Sequence, residues 1–529
     1  MLSFASDCRL EWLHAEAQES DIVPPPLNLG EGPGVGANRD EPMKEPHLFA
    51  SPHRIYSSRR DFLRLTGSGF GLLALAGLLE EQGLLPASAD TVLNPLAPRR
   101  PHFPAKARSV IWLFMNGGPS QVDTWDYKPA LEQHDGQELK GFDKDTGFFV
   151  DQVGPIMKSP FAFARHGKSG TWVSEIFPCM AQHVDDMAFL HSCFTLTNNH
   201  SPALFEINTG MNRMGFPSVG SWVTYGLGTV NQNLPGFIVM YDTLGRGMPK
   251  GYAQNWSAGF LPGVYQGTAL NAQGSPIDNL LRNPEMSDGQ QRAQLDLLAT
   301  LNKSTPQQSQ HDPELAARIQ SFELAYRMQM TAPEALDYTQ EPESIQKLYG
   351  LDDKRCAHFS KQCLMARRLV ERGVRFVQIY SGGEENEKSW DGHTNIGDNH
   401  RQFAGETDKP IGGLLTDLKQ RGLLDSTLVL WCGEFGRLPL VQKGGTGRDH
   451  NPHAFTTWMA GGGVKGGVHY GATDELGHKA VESRVSINDL HATILHLLGI
   501  EHTRLTYLFN GRNFRLTDVA GNVVKDILA

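Results

Sequence analysis

The stretch Trp431–Phe455, "WCGEFGRLPLVQKGGTGRDHNPHAF", sets Glu434, Arg437, Arg448, Asp449, His450 and His453 among glycines, directly after the apolar run "STLVLW". Carboxylates and imidazoles are the side chains that ligate divalent cations and move protons. The same types recur in three more places. Asn116 and Asp123 lie in "NGGPSQVDTWDYKP", His200 and Ser201 in "TNNHSPALFEINTG", and Asp391, His393 and His400 in "SWDGHTNIGDNH". Drawn together from separate loops, they would make a divalent-cation site, and two ions about 4 Å apart could stabilise the attacking and leaving oxygens of a phosphoryl-type transfer. Blander readings stand beside this one. Asp391-Gly392-His393 also suits a turn, Glu434 and Arg437 an ion pair, and Asp449-His450 a loop cap. His491 and His496 fall on a helix, as surface or packing residues.

Elements that could position these residues alternate along the chain. "SVIWLFM" reads as a buried strand ending in a Gly-rich loop; "DMAFLHSCF", "PGFIVMY", "VRFVQIY" and "STLVLW" read as further strands. Helices are expected at "CAHFSKQCLMARRLVERG", "DKPIGGLLTDLKQRGLL" and "SINDLHATILHLLGI", the last capped by Ser486, with a short one opening at His200 and closed by Gly210. This order predicts an α/β fold: an α/β/α sandwich on a mostly parallel, doubly wound sheet, whose site lies at the carboxyl ends of the strands. Residues 268–350 are polar and helical and read as an insertion, with Leu315, Ile319, Phe322 and Tyr326 as its packing stripe.

The composition, 40% hydrophobic and 20% charged over 529 residues with a net charge of −10, is that of a globular chain and shows no basic patch for nucleic acid. "SSRRDFLRL" followed by "GFGLLALAGLL" and a small-residue "ASA" reads as a twin-arginine export signal over residues 57–89, cleaved after Ala89. Its apolar stretch is short for a membrane span, which takes about 20 residues, and no other segment resembles a membrane anchor. Residues 1–56 have a disordered composition, with Met43 an alternative start; 90–107 form a Pro-rich linker; 108–529 form the folded domain. Five cysteines beyond the signal make no disulfide framework, although one bridge, Cys179–Cys193, is possible in an oxidising compartment. A phosphate loop, a dinucleotide fingerprint, a nucleophile elbow and HExxH are all missing from the sequence.

"NGGPSQVDTWDYKP", "ARRLVERGVRFVQIY", "SWDGHTN", "GRDHNPHAFTTWMAGGGVKGG" and "DLHATILHLLGI", in that order, resemble the domain-of-unknown-function family 1501, over Ser109 to Arg512. That family consists of exported, sulfatase-like proteins and in turn resembles the alkaline phosphatase superfamily, which implies metals at strand ends. By that resemblance "HSPALFEINTG" is similar to the sulfatase signature, with His200 at the nucleophile position, Ser201 next to it and Thr209-Gly210 as the closing pair. Asp391 and His393 resemble the superfamily's Asp/His ligands, Glu434 falls where an Asp-His pair follows a strand, and His450 or His453 would be the last histidine ligand. The sequence departs from the pattern at Asn116-Gly117, where an aspartate is expected, so that Asp123 must substitute or the ligand is lost.

The expected activity is metal-dependent hydrolysis of phosphate or sulfate esters, small or polymeric, outside the cytoplasm. Its catalytic candidates are His200, Ser201, Arg437 and Arg448, and its metal candidates Asp123, Asp391, His393, Glu434, Asp449, His450 and His453, with Zn, Ca, Mg or Mn as cofactor. The rival is an inactive binding or structural protein on the same fold, since fold alone does not decide. Export through the translocase, to the periplasm or the exterior, has its own test. Replacing Arg59 and Arg60 with lysine should leave uncleaved precursor in the cytoplasm on fractionation, and unchanged secretion would remove the inference.

Overall fold

The structure is a computed structural model that describes residues 94–141, 147–271, 277, 280, 286–304, 313–384 and 386–529. The expected export signal and N-terminal extension lie outside the described residues.

Nine strands form one sheet. They are β1 (Ser109–Met115), β2 (Met187–Phe194), β3 (Phe237–Met240), β4 (Thr268–Leu270), β5 (Phe376–Ser381), β6 (Thr427–Cys432), β7 (Phe455–Ala460), β8 (Val468–Tyr470) and β9 (Val485–Ser486). Their order is β8-β2-β7-β6-β1-β5-β3-β4, with β9 also on β2. Strand β1 is central and buried along its whole length, as a continuous apolar run requires when helices cover both faces of a parallel strand. It lies parallel to β5 and β6, with Val110 opposite both Phe376 and Leu428. Its side chains alternate between two cores. Ile111, Leu113 and Met115 face one, Val110, Trp112 and Phe114 the other.

Helices fill both cores. The first takes Phe359, Cys363 and Leu369 of α5 (Ala357–Glu371), Phe403, Ile411 and Leu415 of α6 (Ile396–Gln420), and Met328 and Ala332 of α4 (Pro313–Leu336). The second takes Leu204 and Ile207 of α1 (His200–Thr209), Trp222 and Val223 of α2 (Val219–Leu227), and Leu490 and Ile494 of α7 (Ile487–Leu497). A further helix, α3 (Asp288–Ser304), joins α4 through the Arg292–Glu323 ion pair. The molecule is therefore the expected α/β/α sandwich on a mostly parallel sheet. Ser486 caps α7 in a reciprocal capping box with Asp489.

Four local expectations change. Strand β7 runs antiparallel to both β2 and β6. The segment between β6 and β7 carries no helix, and a parallel return would need a crossover of a dozen or more residues, usually helical. The expected insertion begins with β4, an edge strand of the main sheet, and Phe322 of its expected stripe is 52% exposed while Met328, Ala332 and Ala335 do the packing. The Pro-rich linker is not free along its described part: Leu96 is buried in the second core and the Arg99 N–H donates to Leu227 O. Cys179 and Cys193 are free thiols, as are the other three described cysteines. Cys193 belongs to the second core, whereas Cys179 packs on Gly412 of α6, on the other side of the sheet.

Trp431 joins the layers near the site, parallel-stacked on Trp458 at 6.3 Å and edge-on to Trp125 at 5.9 Å. Trp431→Ala should cost about 3–5 kcal/mol through the cavity it leaves, read as a lowered denaturant midpoint at unchanged slope.

Candidate metal centre

The carboxyl ends of β2, β5 and β6 lie at one end of the sheet, and each feeds one part of the centre. The loop after β2 delivers His200 at the first turn of α1, where Asn199, not Ser201, is the N-cap. The loop after β5 delivers Asp391 and His393, and the loop after β6 delivers Glu434 and Arg437. His450 arrives differently. Because β7 is antiparallel, the segment entering it approaches the same end, and His450 pairs with Arg437 in a two-residue antiparallel ladder. Close backbone approach makes this possible. Gly117, after β1, has φ +107°, and an added Cβ would lie 2.6 Å from Asp391 N; one on Gly447 would lie 1.9 Å from His393 O.

His200, Asp391, His393 and His450 present ligand atoms that all lie within 4.8 Å of one another, and all but the half-buried His393 are buried. Asp391 sits at the middle. Its Oδ2 is 3.1 Å from His200 Nε2, and its Oδ1 is 2.8 Å from His393 Nε2 and 3.2 Å from His450 Nε2. On each ring the other nitrogen faces an oxygen. His200 Nδ1 is 2.7 Å from Glu434 Oε1, His393 Nδ1 2.7 Å from Gln442 Oε1, and His450 Nδ1 2.6 Å from Asn198 O. Gln442 is oriented by its own amide, which donates to Gln152 Oε1. A carbonyl only accepts, so His450 carries its proton on Nδ1, and the same assignment follows for His393. His393 Nε2 and His450 Nε2 lie 2.9 Å apart, which leaves room for at most one proton between them. His200 Nε2 is buried and makes no aligned hydrogen bond, although Asp391 is close. Three imidazole edges around one carboxylate suit a cation, and the oxygen partners on the far nitrogens are the outer contacts that orient histidine ligands.

The charges fit this arrangement. Burial alone would lower the His200 pKa, but Asp391 and Glu434 outweigh burial and push it up to about 9. Burial would raise that of Asp391, yet Arg437, His200 and His393 hold it well below the usual carboxylate range. Burial, with the charges of His200 and Arg437, holds His450 well below its ordinary value, hence neutral.

The remaining candidates surround the centre. Glu434 is fully buried and accepts from Gly117 N as well as facing His200, so it acts on a ligand rather than joining the four. Asp449 accepts from Phe149 N and from His450 N. Arg437 donates to Asp391, to Gly117 O, to Gly118 O and to Arg448 O. Arg448 grips Asp123 with two donors, at 2.7 and 3.1 Å, and also reaches the carbonyls of Leu438, Met157 and Lys158. Both guanidinium groups are fully buried, so neither presents a free fork to an anion. Asp123 is thereby engaged away from the four, Asn116 donates to the carbonyls of Gly383 and Glu384, and His453 packs against His478. His400 accepts from Ser120 N, and burial lowers it to about 3. His491 is buried, 2.8 Å from Ile207 O, as a packing residue.

Asn198 and Gln442 were not anticipated: the first acts through its backbone, and the second is a lone amide with no motif around it. Phe148 and Phe149 were also missed, although "GFF" after the polar "DKDT" was a visible signal. They are 41% and 36% exposed, and their rings lie 5.4 Å from His450 and 5.3 Å from His393.

Fold and site together define an α/β/α protein with a buried three-histidine, one-aspartate cluster. The family described as "Protein of unknown function (DUF1501)" matches residues 107–528, and the chain belongs to that family. No curated protein matches it. Among solved structures it is similar to a phosphonate monoester hydrolase from Silicibacter pomeroyi, at 11% identity and TM-score 0.33 over 74% of this chain and 73% of that one. It is also similar to a sulfatase from Pseudoalteromonas sp., at 12% identity and TM-score 0.32 over 79% and 72%. A third is the alkaline phosphatase from the Antarctic bacterium TAB5, at 11% identity and TM-score 0.31 over 74% and 98%. At these values the metal assignment rests on the chain's own side chains.

Without a cation, His200 keeps its proton up to pH about 9. A folded-state value raised above the unfolded one of about 6.5 gives stability that is complete below pH 6.5 and lost as pH rises through 9. The same proton must leave when metal binds. Stability should therefore fall between pH 6.5 and 9, while affinity for a divalent cation should rise over the same range, approaching tenfold per pH unit. Titration calorimetry in buffers of different ionisation enthalpy should show close to one proton released at pH 7.5; zero release would contradict the assignment.

Proposed function

We propose that this chain is a zinc-dependent hydrolase of phosphate or sulfate esters, exported by the twin-arginine route. The observation that carries the metal reading is the convergence of three imidazoles and one carboxylate within 4.8 Å, with two of the Nε2 atoms 2.9 Å apart. Three nitrogens and one oxygen suit zinc, whereas calcium and magnesium favour all-oxygen sites. A divalent cation held there would polarise an ester oxygen and lower the pKa of a water.

The chain's own residues supply the rest. Glu434 accepts a hydrogen bond from His200 Nδ1–H and so keeps Nε2 aimed at Asp391. Arg437 balances Asp391 and ties it to the turn after β1. A dication, one arginine and the carboxylates of Asp391 and Glu434 sum to a single positive charge (2 + 1 − 2), which favours an anionic ester. His200 stands where the resemblance puts a nucleophile, and it is spent on the cluster. Water is then the attacking group, with Ser201, half-buried on the same turn, as the alternative. Arg437 and Arg448 position other groups rather than clamp the substrate.

One observation favours a second reading, a metal-binding protein without turnover: both arginines are buried and fully occupied, so the cation alone would hold an anion. Zinc-loaded protein should cleave aryl phosphate or sulfate esters. His200→Ala should lower bound zinc and reduce turnover at least about a hundredfold, since the loss removes a ligand outright. Ser201→Ala should keep both within about threefold if water attacks, and a collapse of turnover at full zinc content would name Ser201 as nucleophile. Stoichiometric zinc with no cleavage of either ester class would leave the binding reading in possession.

A further inference from the structure

We infer that Phe148 and Phe149 form a recognition subsite for an aromatic ring on the alcohol side of the ester, which deepens the hydrolase reading and rests on it. Large apolar side chains left exposed beside a polar centre are the informative kind of exposure. Here two adjacent phenylalanines are 41% and 36% exposed, and each touches a different ligand ring. Their own rings meet edge-to-face at 4.9 Å and 89°, an arrangement that leaves ring surface open to a third aromatic group.

The pair is held in place. Phe149 N donates to Asp449 Oδ2 at 2.7 Å, Asn198 Nδ2 donates to Gly147 O at 3.0 Å, and a Cβ on Gly147 would meet Asp449 Oδ2 at 2.7 Å. Asp449 and Asn198 also hold His450, Asp449 through the His450 N–H and Asn198 through its carbonyl at Nδ1. One set of groups thus sets both the ligand imidazole and the aromatic wall, so the distance from the centre to the wall is fixed by the fold. A wall that close to the ligand rings meets the group attached to the reacting centre rather than a remote part of the substrate. Its chemistry is apolar and aromatic, with the nearby arginines turned inward. The anionic end of the substrate then faces the four-residue cluster, and the ring of its alcohol lies on Phe148 and Phe149.

The test compares phenylphosphonate with methylphosphonate, neither of which is an ester, by calorimetry on the zinc-loaded full chain. The parent should bind the phenyl compound about tenfold more tightly. Phe148→Ala and Phe149→Ala should each remove most of that preference, leaving methylphosphonate affinity and zinc content unchanged. Phe148→Leu, which keeps bulk, guards against collapse of the segment and should retain part of the preference. Equal affinity of the parent for the two compounds overturns the subsite, as does an equal loss of both in the variants or a loss of zinc from Phe148→Leu. The two readings fail separately. Phenyl-selective binding with no cleavage of phenyl phosphate keeps the subsite and removes the hydrolase. Cleavage with the same phenyl-to-methyl preference in parent and variants does the reverse.

Discussion

The carboxylate of Asp391 is the point on which the centre turns, and burying it is the constraint the surrounding loops must satisfy. A carboxylate taken out of water needs paired charge and well-aligned donors. Asp391 obtains them from Arg437, 2.6 Å away, from Asn386 N at 2.7 Å, and from the charge of His200 at 3.1 Å. Arg437 in turn is fully buried and must place its remaining donors, which it does on the carbonyls of Gly117, Gly118 and Arg448. Those carbonyls belong to the turn after β1 and the strand entry before β7. One ion pair thereby ties together the β1, β5 and β6 ends of the sheet and the His450 segment. Removing either charge would leave the other unpaired in the interior, a loss commonly of about 3–5 kcal/mol.

The sequence carried the architecture because burial is written in it directly. Continuous apolar runs became central strands, and amphipathic runs became the two helical layers. It also pointed to loops whose His200, Asp391, His393 and His450 cluster, since strand-end loops of an open α/β sheet are where such residues can converge. Pairing was not legible. Asp123 and Arg448 are 325 positions apart, and nothing local distinguishes a carboxylate that will face an arginine from one that will face a histidine. Nor could the sequence announce Asn198, whose contribution is a backbone carbonyl. The direction of β7 was readable in principle. No helical pattern lies between Cys432 and Phe455, and a strand that returns without a crossover helix tends to return antiparallel.

That reversal is what brings His450 in. In an all-parallel sheet, residues just before a strand lie at the end away from the site, and those just after it lie at the site. With β7 antiparallel, the residues entering it stand among the carboxyl ends of its neighbours, so the loop from Cys432 to Phe455 can begin and end at the centre. It therefore delivers both Glu434, which faces His200, and His450, which belongs to the cluster around Asp391. A single irregular segment with glycines at its tight approaches does work that two separate loops would do in a regular doubly wound sheet.

The spacing of these groups also couples the centre to folding. His200 and Glu434 are 234 positions apart and Asp391 and His450 are 59, so no short stretch of the unfolded chain holds the ligand set. Only the adjacent pair Asp391 and His393 could act locally. A cation with affinity for the folded state and little for the unfolded one stabilises by an amount that grows with the logarithm of its concentration over its dissociation constant. A cation bound there would take the place of the proton that His200 otherwise keeps. The sheet holds the three segments that carry these residues in register from behind, and a cation would hold them from the front.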